Sequence, residues 1–181
     1  MTFQRPGAAV PGGAGGPSPE QETETVRRIV GQLESLPPAE ARRLAAFSYV
    51  LARAAQSDLR IDDAETQSME KIVVELGGLT EAQAIIVVET AKSQSRMLGG
   101  TEDYLVTREF REISTEDERI RLLRCCFAVT ASDESVTSTE NTMINEIATE
   151  LGLTRDQVNG VRAEFRDQLA AMRIVRSAQA G

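Results

Sequence analysis

The sequence predicts an all-α protein of about seven to eight helices, and three observations carry that prediction. Apolar residues recur at i, i+3, i+4 and i+7 in one segment after another, the spacing of a single helix face. Start and stop signals punctuate those segments: Thr-x-x-Gln boxes before them, Gly or Pro after them. Aromatic residues are only 4% of the 181 and Trp is absent, so the core is drawn from Leu, Ile, Val, Ala and a few Phe and Met, which suits packed helices. No segment calls for a strand.

Residues 1–19 form a tail rich in Gly and Pro. Such a segment is costly to order and has almost nothing to bury, so it is expected to be disordered. A single domain follows over residues 20–176. The first helix runs from Glu20 to about Glu34, with Val26, Ile29, Val30 and Leu33 on one face, and Leu36-Pro37-Pro38 stops it. Pro38 is compatible with a first helical turn and opens the second helix, which reaches about Ser57 with Leu44, Phe47, Val50, Leu51 and Ala54 on its apolar side.

The third helix starts at Asp62, carries Met69, Ile72, Val73 and Leu76, and ends at Gly77-Gly78. Thr80 with Gln83 caps a fourth, bearing Ile85, Ile86, Val87 and Val88. A short fifth, about Thr101 to Glu112, carries Tyr104, Leu105 and Phe110. Ser114 or Thr115 caps a sixth that is apolar almost all round from Ile120 to Val129, the mark of a central, buried helix. Thr137 opens a seventh, with Ile144, Ile147, Ala148 and Leu151, closed by Gly152. Thr154 with Gln157 caps an eighth that runs to about Arg176.

One pattern is written twice. Ala55-Gln-Ser-Asp-Leu-Arg-Ile-Asp-Asp-Ala-Glu65 is matched seventy-five positions on by Thr130-Ala-Ser-Asp-Glu-Ser-Val-Thr-Ser-Thr-Glu140. Asp58 falls on Asp133, Ile61 on Val136 and Glu65 on Glu140. Phe47 falls on Leu122, Val50 on Cys125 and Glu75-Leu76-Gly77 on Glu150-Leu151-Gly152. With Gly78 taken as one extra residue, Leu79-Thr80 falls on Leu153-Thr154. The units, about 37–97 and 113–170, each read helix, acidic corner, helix, glycine turn, helix. Two of them bury their apolar faces against each other most simply about a pseudo-two-fold axis.

Composition excludes several functions. The net charge is -8, from 28 acidic against 20 basic residues, which disfavours binding to nucleic acid or to an anionic membrane surface. No His is present, so imidazole metal sites and His-dependent triads and dyads are ruled out. The adjacent Cys125 and Cys126 lie in an apolar run and read as core residues. Two cysteines make no disulfide framework, which fits a reducing compartment. Without an apolar leader or an apolar run long enough to span a bilayer, the chain is expected to be cytoplasmic.

The acidic corners admit two readings. Asp58, Glu65, Asp133 and Glu140 offer oxygen alone, the donor set for a hard divalent cation such as calcium, magnesium or manganese. Asp58 and Asp133 also follow helix C-termini, where a carboxylate is disfavoured unless a cation is near. In the local reading, Asp62 to Glu65 and Thr137 to Glu140 have capping-box spacing, and the two aspartates shape Asx-turns. An EF-hand is excluded, because its loop requires Gly at position 6 and Glu at 12, whereas Asp63 and Ser138 hold position 6 and the glutamates come at 8.

The repeated Asp-x-x-[Ile/Val]-x-x-x-Glu, after an Ala-rich helix and before a Leu-Gly helix, resembles the TerB-like family of tellurite-resistance proteins over roughly residues 37–168. The resemblance implies an all-helical fold with internal pseudo-symmetry, and related domains accompany a membrane-anchored J-domain co-chaperone. It also implies metal binding at acidic residues, which by motif are Asp58, Glu65, Asp133 and Glu140. Leu59 and Glu134 stand where that family usually has Gly. The expected function is a non-catalytic stress-response domain that holds a cation or a protein partner; the alternative is a helical interaction module without metal. Metal-assisted hydrolysis would need a general base, and no Lys, Tyr or Ser is placed by motif to supply one.

Overall fold

In a computed structural model, the described residues form eight helices: α1 (Pro19–Glu34), α2 (Pro38–Ala55), α3 (Asp63–Glu75), α4 (Glu81–Ser95), α5 (Asp103–Ile113), α6 (Glu116–Thr130), α7 (Ser138–Glu150) and α8 (Arg155–Gln179). The structure describes residues 19–55, 63–95, 103–130 and 138–179, with side chains for 23–55, 66–93, 104–130 and 141–167. No strand occurs among them, and the fold is all-α as expected. The expected disorder of the tail concerns residues that lie outside those described, apart from Pro19, which opens α1.

Three helix starts, those of α4, α6 and α8, are where local chemistry put them. Thr80 and Gln83 bond reciprocally, the Thr80 N–H to Gln83 Oε1 at 3.0 Å and the Gln83 N–H to Thr80 Oγ1 at 3.3 Å. Thr154 and Gln157 do the same at 2.8 and 3.3 Å. Thr115, rather than Ser114, caps α6, and its box partner is Glu118. In each case two backbone donors with no partner inside the helix are satisfied by one side-chain pair. Each glutamine also donates across to the first turn of a core helix, Gln83 to Glu40 of α2 and Gln157 to Glu116 of α6.

α2 and α6 are the centre. α2 packs against α4, α5 and α6, and α6 against α2, α3, α7 and α8. α6 serves two clusters: Leu122, Cys125 and Cys126 join the large core with Leu44, Val50, Leu51 and Phe110, while Leu123 and Phe127 join Ile144, Ala148, Val158 and Val161. Full burial of each such side chain is worth about 1.5–3 kcal/mol, so the helix with two covered faces anchors the domain. Phe47 meets Phe110 edge-on at 5.9 Å, and Phe127 stacks on Phe165 at 5.8 Å.

Three expected apolar faces are only partly covered. In α1, Ile29 is buried but Val26 and Val30 are exposed, because the helix packs mainly against α4. In α4, Ala84, Val87, Val88 and Ala91 face the core and Ile85 points out. In α5, Thr107 and Phe110 are buried while Tyr104 and Leu105 are exposed. No described helix is long and apolar enough to cross a membrane.

Candidate functional site

α2 and α6 run in the same sense. Arg43, near the start of α2, pairs with Glu118, near the start of α6, at 3.5 Å. Arg53, near the end of α2, lies close enough to Cys126, near the end of α6, to act on its thiol electrostatically. Both helices therefore end toward the same side, and each acidic corner begins there. Asp58 and Asp133 lie outside the described residues, as do Asp62 and Thr137. The two glutamates can be placed by backbone alone: Glu65 is the third residue of α3 and Glu140 the third residue of α7. That shared register suits both readings of the corners, since the third position is where a capping-box glutamate stands. Among the described residues no group of three or more Cys, Asp or Glu side chains could hold a metal.

Two basic side chains that the sequence reading passed over stand beside these segments. Arg53 is only 7% exposed. It grips Glu150 of α7 with two parallel bonds, Nη1 to Oε2 at 2.6 Å and Nη2 to Oε1 at 3.2 Å, and also donates to Thr107 Oγ1 of α5 at 3.2 Å. Glu146 lies 3.6 Å away. This clamp joins α2, α5 and α7 and puts a cation in the last turn of α2, where the helix dipole favours one. Its signal in the sequence is faint: one Arg set among Leu51, Ala52, Ala54 and Ala55, easily read as a side chain reaching solvent. Lys92 of α4 donates to Thr66 Oγ1 of α3 at 2.7 Å, one residue beyond Glu65.

Helix C-termini are also covered by arginines. The Arg119 guanidinium donates to the Leu151 carbonyl at the end of α7 at 3.1 Å. Arg121 lies over Gly78, after α3, and Arg111 over Gly152, after α7. Both glycines take left-handed backbone, φ +68° and +70°. The residue inserted into the first turn is therefore Gly77, and Gly78 is the counterpart of Gly152, a one-residue correction to the register read from sequence.

Cys125 and Cys126 are free and buried, as the apolar run implied. Burial pushes the Cys125 thiol up to about 12. It raises Cys126 further, with Arg53 opposing only in part. Thiols so far from ionising are poor nucleophiles and poor metal ligands.

What fold and site define is an all-helical domain in which two acidic segments each join a core helix to an amphipathic one. The family model of tellurite resistance protein TerB matches residues 43–163, and the chain belongs to that family. The match lies within the span over which the repeated corners carry the resemblance. No curated protein and no solved structure matches the chain significantly.

Proposed function

We propose that this TerB-family domain acts by binding and not by catalysis, holding a divalent cation at the corners that contain Asp58, Glu65, Asp133 and Glu140. The observation that supports this reading most concerns the helices that flank the corners. Each corner follows a core helix that ends on the same side of the molecule, and each supplies a glutamate at the third position of the next helix. An all-oxygen donor set suits calcium, magnesium or manganese. The family description, tellurite resistance, names a phenotype, and a cytoplasmic stress-response role is the reading that goes with it.

A second reading, a helical module that presents its surface to a protein partner, is favoured by Val26, Val30, Ile85, Tyr104 and Leu105, large apolar side chains left exposed.

Melting temperature against metal concentration, at constant ionic strength, separates the two. Wild type should gain stability with one of the three cations, about 2.7 kcal/mol at a hundredfold excess over the dissociation constant. The quadruple variant Asp58→Asn, Glu65→Gln, Asp133→Asn and Glu140→Gln retains groups able to make cap and turn hydrogen bonds but loses the charge a hard cation needs. It should fold and show no gain. An equal response of the two proteins would rule out the cation site and leave the corners as caps.

A further inference from the structure

The groove between α7 and α8 is a different kind of place from the rest of this acidic chain. Asn145, Ala148 and Thr149 of α7 lie at i, i+3 and i+4, and Arg155, Val158, Asn159 and Arg162 of α8 at i, i+3, i+4 and i+7, so each set forms one helix face. The two faces enclose a cleft of about 440 Å³. Its polar rim holds two guanidiniums, two carboxamides and one hydroxyl, and no carboxylate lines it among the described residues. That is unexpected for a protein with 28 acids and 20 bases.

Three nearby carboxylates are engaged on other faces. Glu146 and Glu150 turn toward Arg53. Glu164 is held by Arg124 through two bonds of 2.9 and 3.0 Å, and that contact keeps its carboxyl below the usual range. Among the described residues Arg162 is paired with no carboxylate. Its Nη2 donates to Asn145 Oδ1 at 2.9 Å, and its guanidinium lies 5.8 Å from the centre of the Phe127 ring. Both contacts orient the guanidinium and neither neutralises it, so it is positioned in advance to receive an oxyanion. Arg155 makes no hydrogen bond or ion pair among the described residues.

The volume bears on the size of the ligand. At about 30 Å³ for a water, the cleft is far larger than a bare ion requires, and it falls in the range of small-molecule sites. Val158 is 8% exposed and Leu153 is half-buried, so the lining also offers apolar surface beside the charged rim. We infer that the α7–α8 cleft binds a small organic molecule carrying a phosphate group, with Arg155 and Arg162 on the phosphate and the carbon part against Val158 and Leu153. This inference is independent of the cation reading, which concerns other residues.

The test is a titration of the ¹⁵N-labelled full chain with phenyl phosphate, with inorganic phosphate and with sodium chloride at matched ionic strength. The expected result is saturable shifts of backbone amides on the lining stretches of α7 and α8, with phenyl phosphate binding more tightly than inorganic phosphate and chloride producing none. Arg155→Gln and Arg162→Gln should each weaken binding about tenfold or more, the loss of one charge-assisted contact. Arg155→Gln keeps the test sound if Arg162→Gln proves poorly folded, because Arg155 makes no hydrogen bond or ion pair that holds another described residue. Equal affinity for the two phosphates would assign the site to the free anion. Absence of saturation, or affinities unchanged in both variants, would overturn the site altogether.

Discussion

The turns after α3 and α7 start alike and then diverge. Leu76 and Leu151 each bond back to the carbonyl four residues earlier, at 2.8 and 2.9 Å. After Leu151 the chain goes straight to left-handed Gly152. The Gly152 N–H then bonds Thr149 O at 3.0 Å and the Leu153 N–H bonds Ala148 O at 3.1 Å, the paired bonds of a Schellman end. After Leu76 comes the extra Gly77. A Cβ there would overlap the Val73 carbonyl oxygen and press on Cys125 Sγ and Phe47 Cζ at 3.3 Å each. The end of α3 thus meets the α2–α6 pair through bare backbone. The end of α7 meets it through side chains, the buried Leu151 and the Arg53–Glu150 clamp. One sequence pattern has produced a close backbone contact on one side and a polar, bridged one on the other. The contrast can be broken at several points.

The largest effect is expected at the leucines. Leu151 is fully buried and Leu76 only half-buried, although both end a helix at matching positions. Leu151→Ala should cost about 3 kcal/mol and Leu76→Ala about half that. Equal losses in chemical denaturation would mean that the two ends are supported alike.

Next is the clamp. Arg53→Met leaves the mostly buried Glu150 carboxylate without its partner and should cost about 3 kcal/mol. Adding Glu150→Gln to Arg53→Met should restore part of that loss, because the stranded charge is gone. A double-mutant cycle measures this coupling, and a cycle that closes to zero would make the clamp incidental.

The clamp also marks where the sequence stopped being legible. Helix starts were readable because a capping box is a contact between neighbours in the chain. The Thr80–Gln83 and Thr154–Gln157 boxes formed as written. Family membership was readable because the spacing of Asp58, Glu65, Asp133 and Glu140 is itself sequence. Periodicity marked a face on α1 but not whether a neighbour covers it, so Val26 and Val30 read as core and are exposed. Arg53 was missed for the converse reason, since its partner stands ninety-seven residues away and no local pattern announces it. Gly77 and Gly78 were assigned the wrong way round because composition does not reveal the sign of φ.

The thiols sharpen the comparison within the core pair, since Cys125 and Cys126 occupy positions matching Val50 and Leu51. Both thiols titrate above their ordinary value of 9.0. The folded state therefore holds protons that the unfolded state releases above pH 9. Stability is intact below that pH and falls as pH rises beyond it, by up to about 1.4 kcal/mol per unit for each thiol. Cys125→Val with Cys126→Leu should remove this contribution to the decline. An identical pH profile for wild type and variant would refute it.

Gly77→Ala tests the close contact directly. Its Cβ meets a backbone oxygen, which cannot swing aside, so α3 must shift at a cost of about 2 kcal/mol. Thermal melts would show it, and a neutral result would mean that α3 sits less tightly than the geometry implies.

The smallest and most discriminating pair is Gly78→Ala against Gly152→Ala. Both positions demand left-handed backbone, so each change should cost about 1–2 kcal/mol. Asn, which tolerates that conformation, should recover part of the loss at both. The surroundings then separate the two sites. At Gly152 an added Cβ meets Arg111 Nε at 2.9 Å and Cζ at 3.0 Å, near the root of the guanidinium. At Gly78 the obstacle is Arg121 Nη1, the tip of a side chain whose own partner is Asp117, one helical turn back on the exposed surface of α6. A tip moves aside more easily than a root, so Gly152→Ala should be the costlier by a few tenths of a kcal/mol. Combining Gly78→Ala with Arg121→Ala, and Gly152→Ala with Arg111→Ala, isolates that difference. If the gap persists once both arginines are gone, it belongs to the backbone of the two turns, and the extra Gly77 is its most direct source.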